Sequence, residues 1–134
     1  MKPYLFFDAG GTVIFPDFAR AAELLQATGH PVDAETLFRA FSVLLYRVDR
    51  PPAEQHGDPF PQGLGVAILE EVGVPSEQAE LLARQLANEP PGLDWAATFP
   101  WVKPALEELR RQGYGMAIIS NSDGRVAERL AHAG

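Results

Sequence analysis

Tyr4-Leu5-Phe6-Phe7-Asp8-Ala9-Gly10-Gly11-Thr12 is the stretch whose residue types and spacing point to chemistry. Four apolar residues run into a carboxylate, and two glycines and a threonine follow. Such a run reads as a strand buried on both faces. An acid at the carboxyl end of a strand stands where open α/β sheets place their ligands. Asp8 is therefore a candidate nucleophile or metal ligand. Gly10 and Gly11 open the backbone, so that loop amides can approach an anion closely. The plainer reading of the same residues is a strand closing in a tight turn, with Asp8 capping it.

A strand-end site needs a second strand and covering helices. Gly115-Met116-Ala117-Ile118-Ile119-Ser120-Asn121 supplies the strand: an apolar run over Met116 to Ile119 ends in a hydroxyl and an amide side chain. The helices on either side of it read from their spacing. Residues Val102 to Gln112 form one, with Pro104 in its first turn, Leu106 and Leu109 facing the sheet, and Gly113 as its stop. Residues Asp123 to Ala133 form another, with Val126 and Leu130 inward and Asp123 as its N-cap.

Between the two strands, the pairs Phe15-Pro16 and Phe99-Pro100 bias the chain toward extended backbone. They mark the rims of an insertion over 16–99. Within it, Phe18, Ala22 and Leu25 fall at helical spacing ahead of Gly29 and Pro31. Asp33 is an N-cap for a second helix bearing Leu37, Phe41, Leu44, Leu45 and Val48 on one face. The Pro- and Gly-rich stretch 49–63 is a loop. A third helix carries Leu64, Ile68, Leu69 and Val72 up to Gly73, and Ser76 caps a fourth with Ala79, Leu82 and Leu86 inward. Four short amphipathic helices make a bundle.

Hydrophobic content of 46% over 134 residues supports one domain with a modest core, and a formal charge of −7 without a basic stripe argues against nucleic acid as a partner. With no cysteine, disulfides and thiolate metal sites are excluded. No apolar run has the length of a membrane span, and the first residues lack a signal-peptide pattern, so a cytoplasmic location and no membrane partner are expected.

The two strand-end segments resemble the first and second signatures of the haloacid dehalogenase-like hydrolase superfamily, whose helical cap is inserted just after the first. The resemblance implies an α/β fold: a partial Rossmann-like parallel-sheet core, 1–15 and 100–134, with an inserted all-helical cap, 16–99. It implies that Asp8 attacks a phosphoryl group to form a covalent aspartyl intermediate. Ser120 and Asn121, with the amides of Gly10 and Gly11, then bind the phosphoryl oxygens, and Thr12 braces the loop. Mg²⁺ would be held by Asp8 and the backbone carbonyl of Gly10. The expected substrate is a small phosphorylated metabolite.

Two departures from the family pattern qualify this. Gly10 stands where family phosphatases usually carry a second aspartate, the general acid and base. The family's third-signature lysine and fourth-signature acids have no counterpart up to Gly134, and Lys103 precedes Ser120. A two-stranded core also leaves open edges, so self-association or a missing C-terminal half is expected to complete the sheet. The alternative is a non-catalytic or truncated member that binds phosphate or another protein. A metal-independent dehalogenase is a lesser alternative, with Arg20, Arg39, Arg47 and Arg50 as candidates for its halide- or carboxylate-binding arginine. A Schiff-base mechanism needs a cap lysine, and the insertion has none: the chain's lysines are Lys2 and Lys103. His56 and Asp58, in the Pro-rich loop, fall short of a metal site. Trp95 and Trp101 flank the second rim and read as packing residues that fix the angle of the cap.

Overall fold

The computed structural model describes residues 3–49, 58–88, 95–121 and 123–134. Arg50 and His56, and most of the loop that holds His56, lie outside the described residues. In chain order the elements are β1 (Tyr4–Phe7), α1 (Phe18–Ala27), α2 (Ala34–Asp49), α3 (Leu64–Glu71), α4 (Ser76–Asn88), α5 (Val102–Arg111), β2 (Gly115–Ile118) and α6 (Val126–Ala133). The protein is thus of mixed α and β structure, with a two-stranded parallel sheet and six helices among the described residues. No helix among them is long and apolar enough to cross a membrane. The chain divides into two compact units, one of Phe18–Asn88 and one of the residues on either side of it.

The unit Phe18–Asn88 is built by helical periodicity. Helix α1 packs on α2 and α4, and α3 packs on the same two, which closes a four-helix arrangement. The stripes converge on Phe18, Leu25, Leu37, Phe41, Leu69, Ala79 and Leu82, all buried. The Phe18 ring lies 5.9 Å from Phe38 and 5.5 Å from Phe41, in tilted contacts that add to the area they bury. In α1 the inward alanine is Ala21, one residue before the Ala22 expected, because the stripe follows 3.6 residues per turn. Asp33 caps α2 as its spacing predicts: its Oδ1 accepts the Thr36 amide at 2.7 Å, the bond that most lowers its carboxyl below the ordinary range. Ser76 is already the first residue of α4, and the Pro75 carbonyl accepts from Ala79 at 2.8 Å ahead of it.

Helix stops share one device. After α1, α3 and α5, the amides of His30, Val74 and Tyr114 donate to the carbonyls of Leu25, Leu69 and Leu109 at 2.8, 3.0 and 3.1 Å. Between each amide and its helix stands a glycine in the left-handed region, the Schellman arrangement that satisfies terminal carbonyls.

In the other unit, β1 pairs with β2 in parallel, Tyr4 opposite Gly115 and Phe7 opposite Ile118. One face of the pair is covered: Phe7 and Ile118 pack with Val102, Leu106, Val126, Leu130 and Ala133 against a buried cluster of Ala9, Val13 and Ile14. The opposite face corrects the expectation of a strand buried on both sides, since Tyr4 and Phe6 are each 64% exposed. The Met116–Ile119 strand, expected to be buried, is only half-buried, and Ile119 is 63% exposed. The reason is the two-residue period of a strand, which needs a covering layer on each side to bury alternate residues. Tyr4 makes partial use of the open face by laying its ring over Gly115, where an added Cβ would meet it at 2.6 Å.

Helix α6 begins at Val126, three residues later than expected, with Asp123 ahead of it in a turn. The two rims are joined within this unit. Phe15 and Ala97 exchange backbone bonds of 2.9 and 3.2 Å, and the Phe15 and Phe99 rings meet edge to face at 4.5 Å.

Burial decides which leucines hold the helical unit together. Leu37→Ala should cost about 2–5 kcal/mol in urea unfolding, while Leu81→Ala, at an exposed site, should stay within about 0.5 kcal/mol. Equal effects of the two substitutions would contradict this packing.

Candidate functional site

The loop after β1 is wound tightly. The carbonyl of Ala9 accepts three amides, from Thr12, Val13 and Ile14, at 3.3, 2.9 and 3.0 Å. The Gly11 amide donates to the Ile14 carbonyl at 2.8 Å, and Gly11 takes the positive φ of 75° that this winding requires. The apolar Ala9, Val13 and Ile14 turn inward and are buried. Asp8 and Gly10 stay exposed at the strand end, and the Thr98 hydroxyl ties the loop down by donating to the Val13 carbonyl at 2.9 Å. Asp8 Oδ1 accepts the next amide, that of Ala9, at 2.8 Å, which orients its carboxylate.

Beside this loop β2 ends, and the Ile119 amide donates to the Phe7 carbonyl at 2.9 Å, extending the pairing one step. Ser120 and Asn121 follow directly. A cleft of about 510 Å³ opens where the two strands end, lined by Asp8, Gly10, Ser120 and Asn121, with Ile14, Trp95, Asp123, Val126 and Arg129. Of the residues expected at the site, Asp8, Gly10, Ser120 and Asn121 therefore share one cleft. Gly11 and Thr12 are not among its lining residues. The Gly11 amide, one of the two backbone donors expected to meet a ligand, is engaged by Ile14, and the Thr12 amide by Ala9.

Three lining residues carry roles that their spacing in sequence conceals. Trp95 presses its ring on Gly10: a Cβ added there would lie 3.3 Å from the indole. The ring thus occupies the space a side chain at position 10 would enter, whereas Trp101 stacks on Phe99 at 4.5 Å. Asp123 accepts the Arg125 amide at 3.2 Å and holds Arg129 through both oxygens, at 3.1 and 3.0 Å. Arg129 was legible in one respect: it lies on the same stripe of α6 as Val126, Leu130 and Ala133. Its side chain is 13% exposed.

Two of the candidate dehalogenase arginines have partners at the surface of the helical unit. Arg39 pairs with Glu35, and Arg47 pairs with Glu71 at 2.8 Å, both at the surface. Asp58 accepts the Phe60 amide at 2.8 Å within its own turn.

Mg²⁺ takes oxygen ligands and commonly keeps several waters beside one or two carboxylates. Asp8 and Gly10, the two donors expected for it, both line the cleft. Among the described residues no group of three or more His, Asp or Glu side chains could hold a metal ion.

The chain matches no protein-family model and no curated protein in sequence comparison.

The hydrogen bond from the Arg125 amide, followed by the charge of Arg129, holds the Asp123 carboxyl below its ordinary value of 3.8. Such a group stabilises the fold fully above the unfolded carboxyl's pKa, and the contribution is lost as pH falls through the folded pKa. Carboxyl-detected NMR should place the Asp123 midpoint below 3.8, and Arg129→Gln should raise it part of the way, since the backbone bond remains. An unchanged midpoint in Arg129→Gln would show that the pair does not couple.

Proposed function

We propose that this protein is a haloacid dehalogenase-like hydrolase whose cleft binds a small phosphorylated substrate, with Asp8 as nucleophile and Mg²⁺ as cofactor. The observation that carries the reading is the convergence of Asp8, Ser120 and Asn121, from the carboxyl ends of two parallel strands, on one cleft. On this reading the sheet belongs to a Rossmann-like core and the Phe18–Asn88 helices are its cap.

The chemistry follows from the residue types. The Asp8 carboxylate attacks phosphorus, and the bond from phosphorus to the leaving oxygen breaks. Ser120 and Asn121 donate to the phosphoryl oxygens as their charge builds. Water then attacks the aspartyl phosphate, which releases inorganic phosphate and regenerates Asp8. Bound Mg²⁺ would offset the negative charge of Asp8 and the phosphoryl group. The leaving oxygen needs a proton, and Gly10 cannot give one. That loss slows turnover by roughly 10²–10⁴-fold relative to a site with a general acid.

A second reading, phosphate binding without turnover, is favoured by one contact: the Trp95 ring lies 3.3 Å from where a Cβ at position 10 would stand. A Gly10→Asp substitution therefore requires the indole to give by a few tenths of an ångström. The two readings separate on turnover. Hydrolysis of p-nitrophenyl phosphate should depend on Mg²⁺ and vanish in Asp8→Asn. With an alkyl phosphate, whose leaving oxygen needs a proton, Gly10→Asp combined with Trp95→Ala should raise phosphate release above either single variant. Phosphate binding with no turnover in any variant would select the second reading.

Self-association, or a further segment that completes the sheet, belongs to the same proposal and is supported by the exposure of Tyr4, Phe6 and Ile119. Sedimentation velocity at micromolar concentration should show a species heavier than the monomer if a second copy does this.

A further inference from the structure

The cleft is lined by two carboxylates, Asp8 and Asp123, and one cation, Arg129, among the described residues. An anion entering it meets a protein of formal charge −7, and Lys103 is not among the cleft's lining residues. Some positive charge has to be fixed at the site for an oxyanion to stay. The geometry points to Arg129 as the residue that binds the ligand's oxyanion, with Asp123 as the internal carboxylate that holds the guanidinium in place and competes with the ligand for it. This rests on the reading of the cleft as a phosphoryl site, and it adds a residue and a competition to that reading.

Three observations support it. The Arg129 side chain is 13% exposed, so its stem is packed and its head cannot swing widely. Its partner Asp123 is 53% exposed on its side chain and sits in a turn outside α6, so it returns to water at little cost. The pair is formed through both guanidinium ends and both carboxylate oxygens, the fork geometry a phosphoryl group can adopt in turn. An anion shared among Ser120, Asn121 and a guanidinium gains several charge-assisted bonds at once. Arg129 is thus the cation of the site, and Asp123 sets how tightly the site holds anions.

The test is calorimetric titration of the full chain with inorganic phosphate in Mg²⁺ buffer, for the wild type and Arg129→Gln, Arg129→Lys, Asp123→Asn, Asp8→Asn and Ser120→Ala. Arg129→Gln should weaken binding by about ten- to hundredfold, with Arg129→Lys between it and the wild type. Asp123→Asn should tighten binding, because it removes the competitor and a like charge. A purely structural pair predicts otherwise: lower melting temperatures for both variants, with phosphate affinity unchanged in Arg129→Gln or not tightened in Asp123→Asn, and either result overturns the inference. Weakening by Ser120→Ala but not by Arg129→Gln overturns it too, while leaving the phosphoryl reading in place. Weakening by Arg129→Gln and tightening by Asp123→Asn, with Ser120→Ala and Asp8→Asn silent, upholds the arginine and removes the reading of Asp8. No phosphate binding by the wild type overturns both.

Discussion

The parallel pairing of β1 with β2 is the constraint on which the cleft depends. Parallel strands end on the same side of a sheet, so the residues that follow each one emerge together. The register sets Phe7 opposite Ile118, and the extra bond from the Ile119 amide to the Phe7 carbonyl carries the ladder to the cleft's edge. Asp8 and Ser120 are thereby brought beside each other from positions more than a hundred residues apart in the chain. A slip of one residue would turn either Phe7 or Ile118, whichever strand moved, out of the core that α5 and α6 cover, because side chains alternate across a strand. The apolar packing beneath the sheet therefore fixes where the polar groups above it stand.

The loop after β1 extends the same logic. Burying Ala9, Val13 and Ile14 in one short loop leaves many amides to satisfy, and the Ala9 carbonyl takes three of them. A loop wound this closely has few conformations left, so Asp8 is presented on a stiff support. The winding also consumes the amides of Gly11 and Thr12. With the Gly11 amide engaged, an anion in the cleft depends more on side chains, and in the proposed reading Ser120, Asn121 and Arg129 carry that part.

The helices were legible because their information is local. Period, caps and glycine stops lie within a few residues of one another, and Asp33 with Thr36, or Gly73 with Val74, can be read on the page. Asp8 and Ser120 were legible because a carboxylate or hydroxyl directly after an apolar strand is a local signal too. The covering of the sheet was not. Whether Tyr4 and Phe6 are buried depends on which layer lies over them, and a run of four apolar residues is silent on that. Trp95 and Arg129 were missed as cleft residues for the same reason. The indole comes to lie on Gly10 through a contact 85 residues apart in sequence, and Arg129 reaches the cleft because α6 packs on the sheet. Asp123 read as the N-cap of α6, but Arg125 takes that position, and Asp123 accepts the Arg125 amide in the bend before the helix. Its second role, on Arg129, appears only when the helix turns bring the two together.

The pairing of Gly10 with Trp95 shows how one substitution of residue type changes what a strand-end cleft can do. An acid at position 10 would bring a proton donor and a third negative charge among the cleft's lining residues. Glycine with an indole against it brings neither, and replaces a hydrated carboxylate by an apolar wall. In the proposed reading Arg129 attracts a bound oxyanion and Asp8 repels it, and neither charge depends on position 10. Proton delivery to a leaving group does depend on it. In the proposed reading the cleft is therefore better equipped to hold a phosphoryl group than to expel what is attached to it. Water, or a leaving group that departs without a proton, has to supply the rest.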